Sequence, residues 1–302
     1  MIGIVILNYN TPTETISCIE SIRRTTRSKY KVYIIDNVST DDSRKQFVDI
    51  YLHDSDIKIL YANFNNGYSS GNNIGLTEAM NDQCDFVIIS NSDVIFTDDS
   101  IDLMYDFSRI NPIIGIIGPK ILTFNGKIQD SARLNYNYEN YLLFKKPFIY
   151  LTSKSYKRKV YFKEYDYNEP LIFDGIVSGC CFGITKSFLD KKFILDEKIF
   201  LYFEEAVISF NCQKNNLKTC VLPSSIVYHL ESKSIGNQKN PFSMYHRYYS
   251  SMYFLKKYCG ISDFKLRIIY YINYMSLKFS RTKKKRKYIS DLKLKFKELL
   301  NL

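Results

Sequence analysis

Short apolar runs alternate with segments of helical periodicity along the first third of the chain. Four mainly apolar runs have the pattern of buried parallel strands covered on both faces: residues 2–7, 31–35, 57–61 and 86–89. Between the first two runs, Pro12 suits the first turn of a helix, and Ile16, Ile19 and Ile22 recur at helical spacing. This alternation predicts an α/β fold with a mostly parallel sheet and right-handed crossovers.

The pattern is less regular in the rest of the chain. Residues 113–121 and 218–222 predict two further strands, and regular structure is expected to resume at 170–179. Residues 136–168 between them are rich in Tyr and Lys and lack clear periodicity. We interpret this segment as a mobile excursion, such as a lid or an acceptor-side loop.

Polar residues follow three of the predicted strands. Asn8 and Asn10 end the first strand, Asp36 ends the second, and Asn91 and Asp93 end the fourth. Ligands of open α/β sheets bind beyond the carboxyl ends of the strands, so we expect these side chains to meet at one edge. Asp93 would there be placed to hold Mg²⁺ or Mn²⁺, and that cation could hold a diphosphate. For the Asn-Ser-Asp tripeptide alone, an ordinary turn is the competing interpretation.

A nucleotide is the ligand that this edge suggests. Asp36 could accept hydrogen bonds from a base or ribose, and the Asn-rich loop at 63–73, which includes Asn72 and Asn73, could supply amides. No G-x-G-x-x-G follows the first strand, and no G-x-x-x-x-G-K-[ST] occurs. The sequence therefore disfavours a dinucleotide fold and a P-loop, and leaves a metal-held nucleotide diphosphate as the hypothesis.

Two further candidates lie in the second half of the chain. The aromatic run before residue 204 ends in Glu204 and Glu205, which either stabilise the first turn of a helix or supply a general base at the mouth of the sheet. His229 follows the last predicted strand. A single His is more often structural than a ligand, so its interest depends on its neighbours.

Charge divides the chain into a neutral body and a basic tail. Residues 1–243 contain 27 Lys and Arg against 28 Asp and Glu, a net charge of −1, whereas residues 244–302 contain 15 against 3, a net charge of +12. We therefore expect one domain at 1–243 and a basic helical extension at 244–302. A nucleic-acid enzyme would more often spread positive charge along its groove, so nucleic acid is not expected as a partner.

The basic tail has two interpretations. Its last segment has Ile289, Leu292, Phe296 and Leu299 at helical spacing after a basic run at 281–287. The helix could pack its apolar face on the body or a partner, or the tail could attach to an anionic lipid surface. The longest uncharged apolar stretch of the tail, 268–277, is too short to span a bilayer.

Cysteine usage and the first residues bear on location. The seven Cys residues are odd in number and form no C-x-x-C, which indicates neither a zinc site nor a disulfide framework and fits a reducing compartment. An apolar run follows Met1 directly, without the basic region of a signal peptide. We expect a cytoplasmic protein, peripheral at the inner face of the plasma membrane.

Taken in order, these motifs resemble the family 2 glycosyltransferases, particularly the bacterial rhamnosyltransferase-like branch. The resemblance covers about residues 2–235 and depends on seven segments: 5–10, 35–41, 65–75, 91–94, 174–179, 196–205 and 228–229. It implies a GT-A fold, a Rossmann-like, mostly parallel sheet flanked by helices. It also implies inverting transfer of a sugar from a nucleotide-diphosphate donor, dTDP-rhamnose-like or a UDP-sugar, to a glycan or lipid-linked acceptor in capsule or O-antigen synthesis.

The resemblance also assigns roles to residues. Asp36 with Asn8 and Asn10 would bind the nucleotide. Asn91 and Asp93 match the family's metal-binding motif, and His229 would complete the metal or diphosphate site. Asp174 would form the floor of the sugar pocket, and Glu205, beside Glu204, stands where the family has its catalytic base.

Three residues depart from the family pattern. Glu205 replaces an Asp, Val207 stands where an acidic residue is common, and Val38 replaces a Gly. The departures at Glu205 and Val207 support an alternative hypothesis, a catalytically impaired homologue that binds nucleotide-sugar or glycan as a partner subunit. A nucleic-acid-binding protein is a further alternative, which the neutral body and the lack of a recognisable motif oppose.

Overall fold

The first part of the chain alternates strands and helices in a computed structural model that describes residues 1–145, 148–230, 240–280 and 285–302. The elements are β1 (Ile2–Asn8), α1 (Pro12–Thr25), β2 (Tyr30–Asp36), α2 (Ser43–Tyr51), β3 (Ile57–Tyr61), α3 (Gly67–Asn81) and β4 (Phe86–Asn91). The four strands predicted from the apolar runs are all present.

The middle of the chain is less regular but is not a single open loop. It contains β5 (Val94–Phe96), α4 (Ser100–Ile110), β6 (Ile114–Thr123), β7 (Ala132–Leu134), α5 (Tyr138–Leu143), a 3₁₀ turn at Phe148–Tyr150 and α6 (Lys154–Val160). The segment interpreted as a mobile excursion thus includes two short helices. Tyr141 and Val160 anchor them in the interior, so the lack of periodicity reflects the shortness of the helices.

The remaining elements complete the sheet and add a helical extension. They are β8 (Leu171–Phe173), β9 (Gly175–Val177), β10 (Cys181–Thr185), α7 (Lys186–Leu189), α8 (Glu204–Lys214), β11 (Lys218–His229), α9 (Pro241–Lys257), α10 (Asp263–Lys278) and α11 (Lys285–Leu299).

Within the described residues, nine strands form one mixed sheet in the order β3-β2-β1-β4-β10-β6-β11-β5, with β8 also paired to β11. The strands β3, β2, β1 and β4 are parallel, and β6 is parallel to β11. The strand β10 runs antiparallel between β4 and β6. Register places Asn8 beside Asp36 and Leu7 beside Asn91, so the polar strand ends meet at one edge as expected.

Apolar residues cover both faces of this sheet. One face packs against α1, α2 and α4, and the other against α3, α7 and α8. The strand β1 has buried residues on both faces, such as Ile4 and Val5, which explains its uninterrupted apolar run.

The helices α9, α10 and α11 share a third apolar core with α5 and α8. A largely buried acid links α9 to the loop before α8, because Asp196 accepts hydrogen bonds from Tyr253, Lys257 and Tyr258 at 2.6–2.8 Å. Burial opposes ionisation of Asp196, but these hydrogen bonds outweigh it and lower the pKa of the carboxyl group. The helix α9 begins at Pro241, close to the predicted boundary at residue 244, and the division into two units stays a prediction.

The apolar face of α11 is buried. Leu292, Phe296 and Leu299 all lie in the third core, and Phe296 stacks on Tyr270 of α10 with ring centroids 4.0 Å apart. The first four positions of the predicted basic run, 281–284, lie outside the described residues. None of the helices in the described ranges is long and apolar enough to cross a membrane.

We expect Phe254→Ala to destabilise the whole chain, because Phe254 is 1% exposed and packs at 5.8 Å against the ring of Phe203, just before α8. Removing a buried Phe side chain costs about 3–5 kcal/mol of unfolding free energy. Urea unfolding, followed by circular dichroism, should show one transition at a lower midpoint. The control Phe264→Ala, at a position 73% exposed, should leave the midpoint nearly unchanged. A separate early transition for Phe254→Ala would show that the helical extension unfolds independently.

Candidate active site

A cavity of about 690 Å³ opens at the carboxyl edge of the sheet. Its walls come from the strand ends (Asn37, Asn91, Ser92 and Asp93), from the start of α3 (Gly67 and Tyr68) and from an apolar side that includes Phe200 and Phe242. The cavity therefore lies where the polar strand ends predicted a ligand site.

Asn8 holds the first two strand ends together and directs its side chain into the protein. Its Nδ2 donates to Asp36 Oδ1 at 3.3 Å and to Ser39 Oγ at 3.0 Å. Its Oδ1 accepts hydrogen bonds from Thr11 and Thr15. Because the amide is fully used and fully buried, Asn8 positions Asp36 and makes no free contact toward the cavity.

Asp36 is fully buried and well supported. Besides Asn8, its carboxylate accepts hydrogen bonds from Arg44 Nε at 2.6 Å and from the backbone N–H of Ser39 at 3.3 Å. A carboxylate has about four acceptor positions, so one has no partner within the protein, although the side chain does not itself line the cavity. Arg44 is 46% exposed and balances the buried charge from the solvent side.

The loop between β2 and α2 is fastened by Asn10. Its Oδ1 accepts from the backbone N–H of Thr40 at 2.8 Å, and its own backbone adopts a positive φ of 58°. Val38 in the same loop has a φ of 64°, in the left-handed region that a β-branched residue rarely adopts. The Gly that the family favours at this position would relieve that strain.

Asn37 is a site residue that the sequence analysis missed. It is 3% exposed and lines the cavity. Its Nδ2 donates to Asn65 at 3.1 Å, whereas its buried Oδ1 has no hydrogen-bond partner. A buried acceptor without a partner costs on the order of 1–3 kcal/mol, so a ligand N–H at this position would be favoured.

Two predicted amides on α3 make mainly internal contacts. Asn73 donates to the Leu195 carbonyl and to Glu197, and it accepts from the Leu195 N–H, each at 2.9 Å. Asn72 donates to the Tyr68 carbonyl at 2.9 Å, and its buried Oδ1 has no partner. Asn73 thus fixes the loop that leads to Phe200.

Asp93 and His229 face each other beside the cavity. The antiparallel pairing of β5 with β11 brings His229 next to Asp93, and His229 Nε2 lies 3.4 Å from Asp93 Oδ1. His229 Nδ1 lies 3.1 Å from Gln129 Oε1, which as a carbonyl oxygen accepts a hydrogen from that nitrogen. This tautomer leaves the Nε2 lone pair directed at a carboxylate, an arrangement that a cation would stabilise.

These donors fit a divalent metal held jointly with a ligand. In the part of the chain that is described, His, Cys, Asp and Glu side chains form no group of three or more suited to a metal ion. Mg²⁺ commonly takes only one or two protein ligands and completes its coordination with substrate phosphates and water. Asp93 and His229 match that pattern.

The two acids at the start of α8 are held behind the cavity. Tyr202 and Phe203 precede them in the left-handed region, with φ of 69° and 74°. A β-carbon added at Gly179 would lie 3.7 Å from Glu205 Oε2, and the Gly179 carbonyl accepts from the Tyr68 hydroxyl at 2.9 Å. Tyr68 lines the cavity, so Gly179 and Tyr68 connect Glu205 to it.

Burial sets the protonation of this pair. Burial and the adjacent Glu205 raise the pKa of Glu204 well above its usual range, and Glu204 Oε1 has no hydrogen-bond partner. Burial also raises the pKa of Glu205, but backbone hydrogen bonding, the charge of Arg133 and a hydrogen bond to Glu204 oppose the rise. We infer that Glu204 retains a proton and that Glu205 ionises first.

Arg133 is the second site residue that the sequence analysis missed. It lies on β7, and its guanidinium group sits 3.6 Å from the ring centroid of Tyr136 and donates to the Tyr136 hydroxyl. The pairing of β7 with β9 brings Arg133 to the site. A three-residue strand has too little pattern for the sequence to predict this pairing.

Asp174 does not reach the cavity, in contrast to the prediction. Its Oδ2 lies 2.7 Å from Nζ of Lys218, the first residue of β11, whereas His229 is the last residue of that strand. A strand of this length separates its ends by on the order of 30 Å. The pairing of β8 with the beginning of β11 places Asp174 near the amino end of β11, away from the carboxyl edge of the sheet.

The chain belongs to glycosyl transferase family 2, since residues 3–192 match the profile of that family. The match confirms the family and the enzyme class that the sequence motifs indicated, glycosyltransferase.

Two curated relatives are similar in sequence. The N-acetylglucosaminyl-diphospho-decaprenol L-rhamnosyltransferase of Mycobacterium tuberculosis is 25% identical over 266 residues, which are 84% of this chain and 83% of that protein. The glycosyltransferase GlyG of Streptococcus pneumoniae is 25% identical over 105 residues, and the matched part covers 35% of this chain and about a third of that relative's length, 34%.

Solved structures confirm the predicted GT-A fold. GalNAc-T7, crystallised with UDP, GalNAc and Mn²⁺, superimposes with a TM-score of 0.61 at 15% identity, covering 100% of this chain and 56% of its own. Staphylococcus aureus TarS 1–349 gives 0.56 at 14% identity and covers 99% and 80%. The same fragment in complex with UDP-GlcNAc gives 0.53 at 13% identity, covering 99% and 71%.

We expect Glu204→Gln to stabilise the protein at neutral and alkaline pH. An acid with a raised pKa in the folded chain favours folding at low pH, and its contribution falls as pH rises above the unfolded value near 4.5. Gln resembles the protonated acid, so urea unfolding should show a gain that grows as pH rises above the unfolded value, with a limiting slope of about 1.4 kcal/mol for each pH unit. The gain should vanish near pH 4.5.

The matched control for this variant is Glu139→Gln, at an exposed position paired with Lys265. It should show no such dependence on pH. Equal stability of Glu204→Gln and the parent at pH 8 would contradict a buried, protonated Glu204.

Proposed function

We propose that this protein transfers a sugar from a nucleotide-diphosphate donor to an acceptor hydroxyl, with inversion at the anomeric carbon. The observation that best supports the proposal is the facing pair of Asp93 and His229 beside a cavity at the carboxyl edge of the sheet. A buried carboxylate and an imidazole lone pair suit a cation, and a cation there suits a diphosphate.

The diphosphate half of the donor would lie at Asp93 and His229. Bound Mg²⁺ or Mn²⁺ would neutralise the leaving diphosphate as a Lewis acid. Asn91 ends β4 beside this pair and lines the same cavity. Its part in donor binding remains a proposal.

The nucleoside half would lie over the ends of β1 and β2. Asn37 offers its unpartnered carbonyl oxygen to a base N–H, and Asp36 offers its remaining acceptor position to a base or ribose. Asn8 and Asn10 support this edge by holding Asp36 and the 38–41 loop. A pyrimidine with an N–H beside its carbonyl groups, as in UDP-sugars and dTDP-rhamnose-like donors, fits this arrangement.

Glu205 would remove the proton from the acceptor hydroxyl. Arg133 and Glu204 favour its ionised form, Arg133 by its charge and Glu204 by holding the shared proton. General-base catalysis of this kind contributes roughly 10²–10⁴-fold. Glu205 is one methylene longer than the family's Asp, which moves the accepting oxygen.

The acceptor would be a glycan or a lipid-linked glycan in cell-surface polysaccharide synthesis. The name of the mycobacterial relative, whose sequence matches over 84% of this chain, specifies a diphospho-decaprenol acceptor. The net charge of +12 in residues 244–302 supports attachment to the anionic inner face of the plasma membrane, where such an acceptor would be presented.

One observation favours a second candidate, a catalytically impaired homologue that binds nucleotide-sugar or glycan. Both Glu205 and Val207 depart from the family pattern at the start of α8, and Val207 is buried in the third apolar core. This candidate retains the donor site and loses the chemistry, so binding and turnover distinguish the two.

Calorimetric titration with UDP, dTDP and GDP in the presence of Mn²⁺ or EDTA should show binding of one nucleotide that depends on the metal. Asp93→Ala should abolish the metal-dependent part, because it removes the buried carboxylate. The matched control is Asp98→Ala, which removes an exposed carboxylate five residues away and should bind like the parent. Absence of binding to every nucleotide would overturn the proposed function.

Glu205→Gln should bind the nucleotide like the parent and lose roughly 10²–10⁴-fold in turnover of the donor. Glu205→Asp restores the residue of the family and should retain activity. Release of nucleotide from a panel of sugar donors that carry the nucleotide identified by titration, with and without an acceptor extract, measures both variants. Binding without turnover in the parent and in Glu205→Asp would select the impaired homologue.

A further inference from the structure

The helix α10 exposes a row of large apolar side chains. Phe264, Tyr271 and Phe279 are 73%, 61% and 70% exposed. Ile268 and Met275 lie between them along the helix and are half-buried. Single exposed apolar side chains are common on protein surfaces. A contiguous row of them on one helix marks an interaction surface.

These five residues, of which Phe279 directly follows the last residue of α10, lie on one face of the helix, which we call the α10 stripe. Their spacing of four, three, four and four residues keeps them within a narrow sector of a helical wheel. The opposite side of α10 consists of Leu266, Ile269, Asn273 and Leu277, which are all fully buried. The stripe therefore points away from the body of the protein.

Basic residues border the stripe. Arg267 and Lys278 are exposed on α10 and lie next to the stripe on the same side of the helical wheel. Lys278 Nζ lies 5.9 Å from the ring centroid of Phe279. Stacking of Tyr270 on Phe296 places α11 on that same side. There α11 adds exposed cations, among them Lys293 and Lys297.

Acidic groups on these two helices are few and mostly paired. Asp263 Oδ1 lies 2.7 Å from Lys256 Nζ, and Glu298 Oε2 lies 2.7 Å from Lys295 Nζ. Asp291 of α11 is the remaining acid of residues 244–302. The surface around the stripe is therefore strongly positive.

We propose that the α10 stripe inserts into the headgroup region of a bilayer that contains anionic lipid, with the basic residues of α10 and α11 at the phosphate level. An amphipathic helix with aromatic residues on one face and cations beside it lies in the plane of a membrane interface. This inference rests on the proposed function for the purpose of the attachment. It deepens that function by assigning the membrane contact to α10.

The assignment differs from the one suggested by sequence periodicity. The apolar positions of α11 at Leu292, Phe296 and Leu299 are buried in the protein and do not reach a lipid surface. The cations of α11 stay available for headgroups, whereas the insertion depends on α10.

Charge argues against a second copy of the chain as the occupant. A two-fold contact through the stripe would oppose two extensions that each have a net charge of +12. The body of the other molecule, with a net charge of −1, offers no compensating field.

The first test is sedimentation of the full chain with vesicles of phosphatidylglycerol and phosphatidylcholine, and with phosphatidylcholine alone. We expect binding to the anionic vesicles only. The triple variant Phe264→Ser, Tyr271→Ser, Phe279→Ser should lose at least about tenfold in affinity, because each residue buries apolar area on insertion. The control Phe124→Ser, Tyr150→Ser, Leu151→Ser changes equally exposed residues of the body and should bind like the parent.

The second test uses the absence of Trp from this sequence. Tyr271→Trp introduces a single reporter, whose emission should shift to the blue and be quenched by brominated lipid when anionic vesicles are added. Tyr150→Trp, at a position 74% exposed on the body, should show neither change. An unshifted spectrum for Tyr271→Trp with bound protein would overturn insertion.

Other outcomes separate this inference from the proposed function. Equal binding of the triple variant and the parent would overturn the inference. Analytical ultracentrifugation could show that the parent self-associates and that the triple variant does not. This result would assign the stripe to a second copy of the chain and would also overturn the inference. The triple variant should bind nucleotide like the parent. A parent that binds vesicles but no nucleotide would refute the proposed function while leaving the α10 contact intact.

Discussion

Burial of carboxylates at one edge of the sheet is the constraint on which the site depends. Asp36, Asp93 and Glu204 are each at most 6% exposed, and an uncompensated buried charge is too costly to persist. Each acid is accommodated differently: Asp36 is paired with Arg44 and Asn8, Glu204 retains a proton, and Asp93 faces the His229 imidazole in an arrangement that a cation would stabilise. The three solutions correspond to the three tasks that the proposed function assigns to them, which are holding a nucleoside, a cation and a proton.

The same constraint explains the strain around the site. The chain adopts positive φ at Asn10, Val38, Tyr202 and Phe203, and such non-glycine positions cost on the order of 1–3 kcal/mol each. The first two lie in the loops that hold Asp36, and the last two directly precede Glu204 and Glu205, of which Glu205 lies beside Gly179. Phe203 compensates part of this cost by burial, with its ring stacked on Tyr136 at 4.4 Å. The residues that shape the site thus depend on the aromatic core that α9 completes.

Sequence reasoning predicted the parallel half of the sheet and its polar edge, because continuous apolar runs and the residues that end them are local signals. The antiparallel insertion of β10, between β4 and β6, depends on pairing between distant segments and gave no such signal. The same reason explains the residues that were missed or misplaced. The pairing of β7 with β9 brings the charge of Arg133 near enough to lower the pKa of Glu205, and the pairing of β8 with β11 takes Asp174 away from the cavity. Asn37 escaped notice because an Asn after a strand usually serves its own turn, and only the structure shows its oxygen without a partner.

The helical extension shows the limit of periodicity most clearly. Apolar spacing identifies α11 as amphipathic, but spacing alone does not say whether its apolar face meets protein or lipid. The aromatic residues of α10 occur on several faces, a pattern that resembles a core helix, yet Leu266, Ile269 and Leu277 are buried while Phe264, Tyr271 and Phe279 are exposed. The distinction arises because α9 and α5 cover one side of α10, where the Tyr141 hydroxyl meets Asn273 at 3.3 Å, and leave the other side open. The helix α10 thus uses one set of apolar residues for folding and presents another set beside cations. It links the stability of the enzyme to the membrane surface at which a lipid-linked acceptor would be bound.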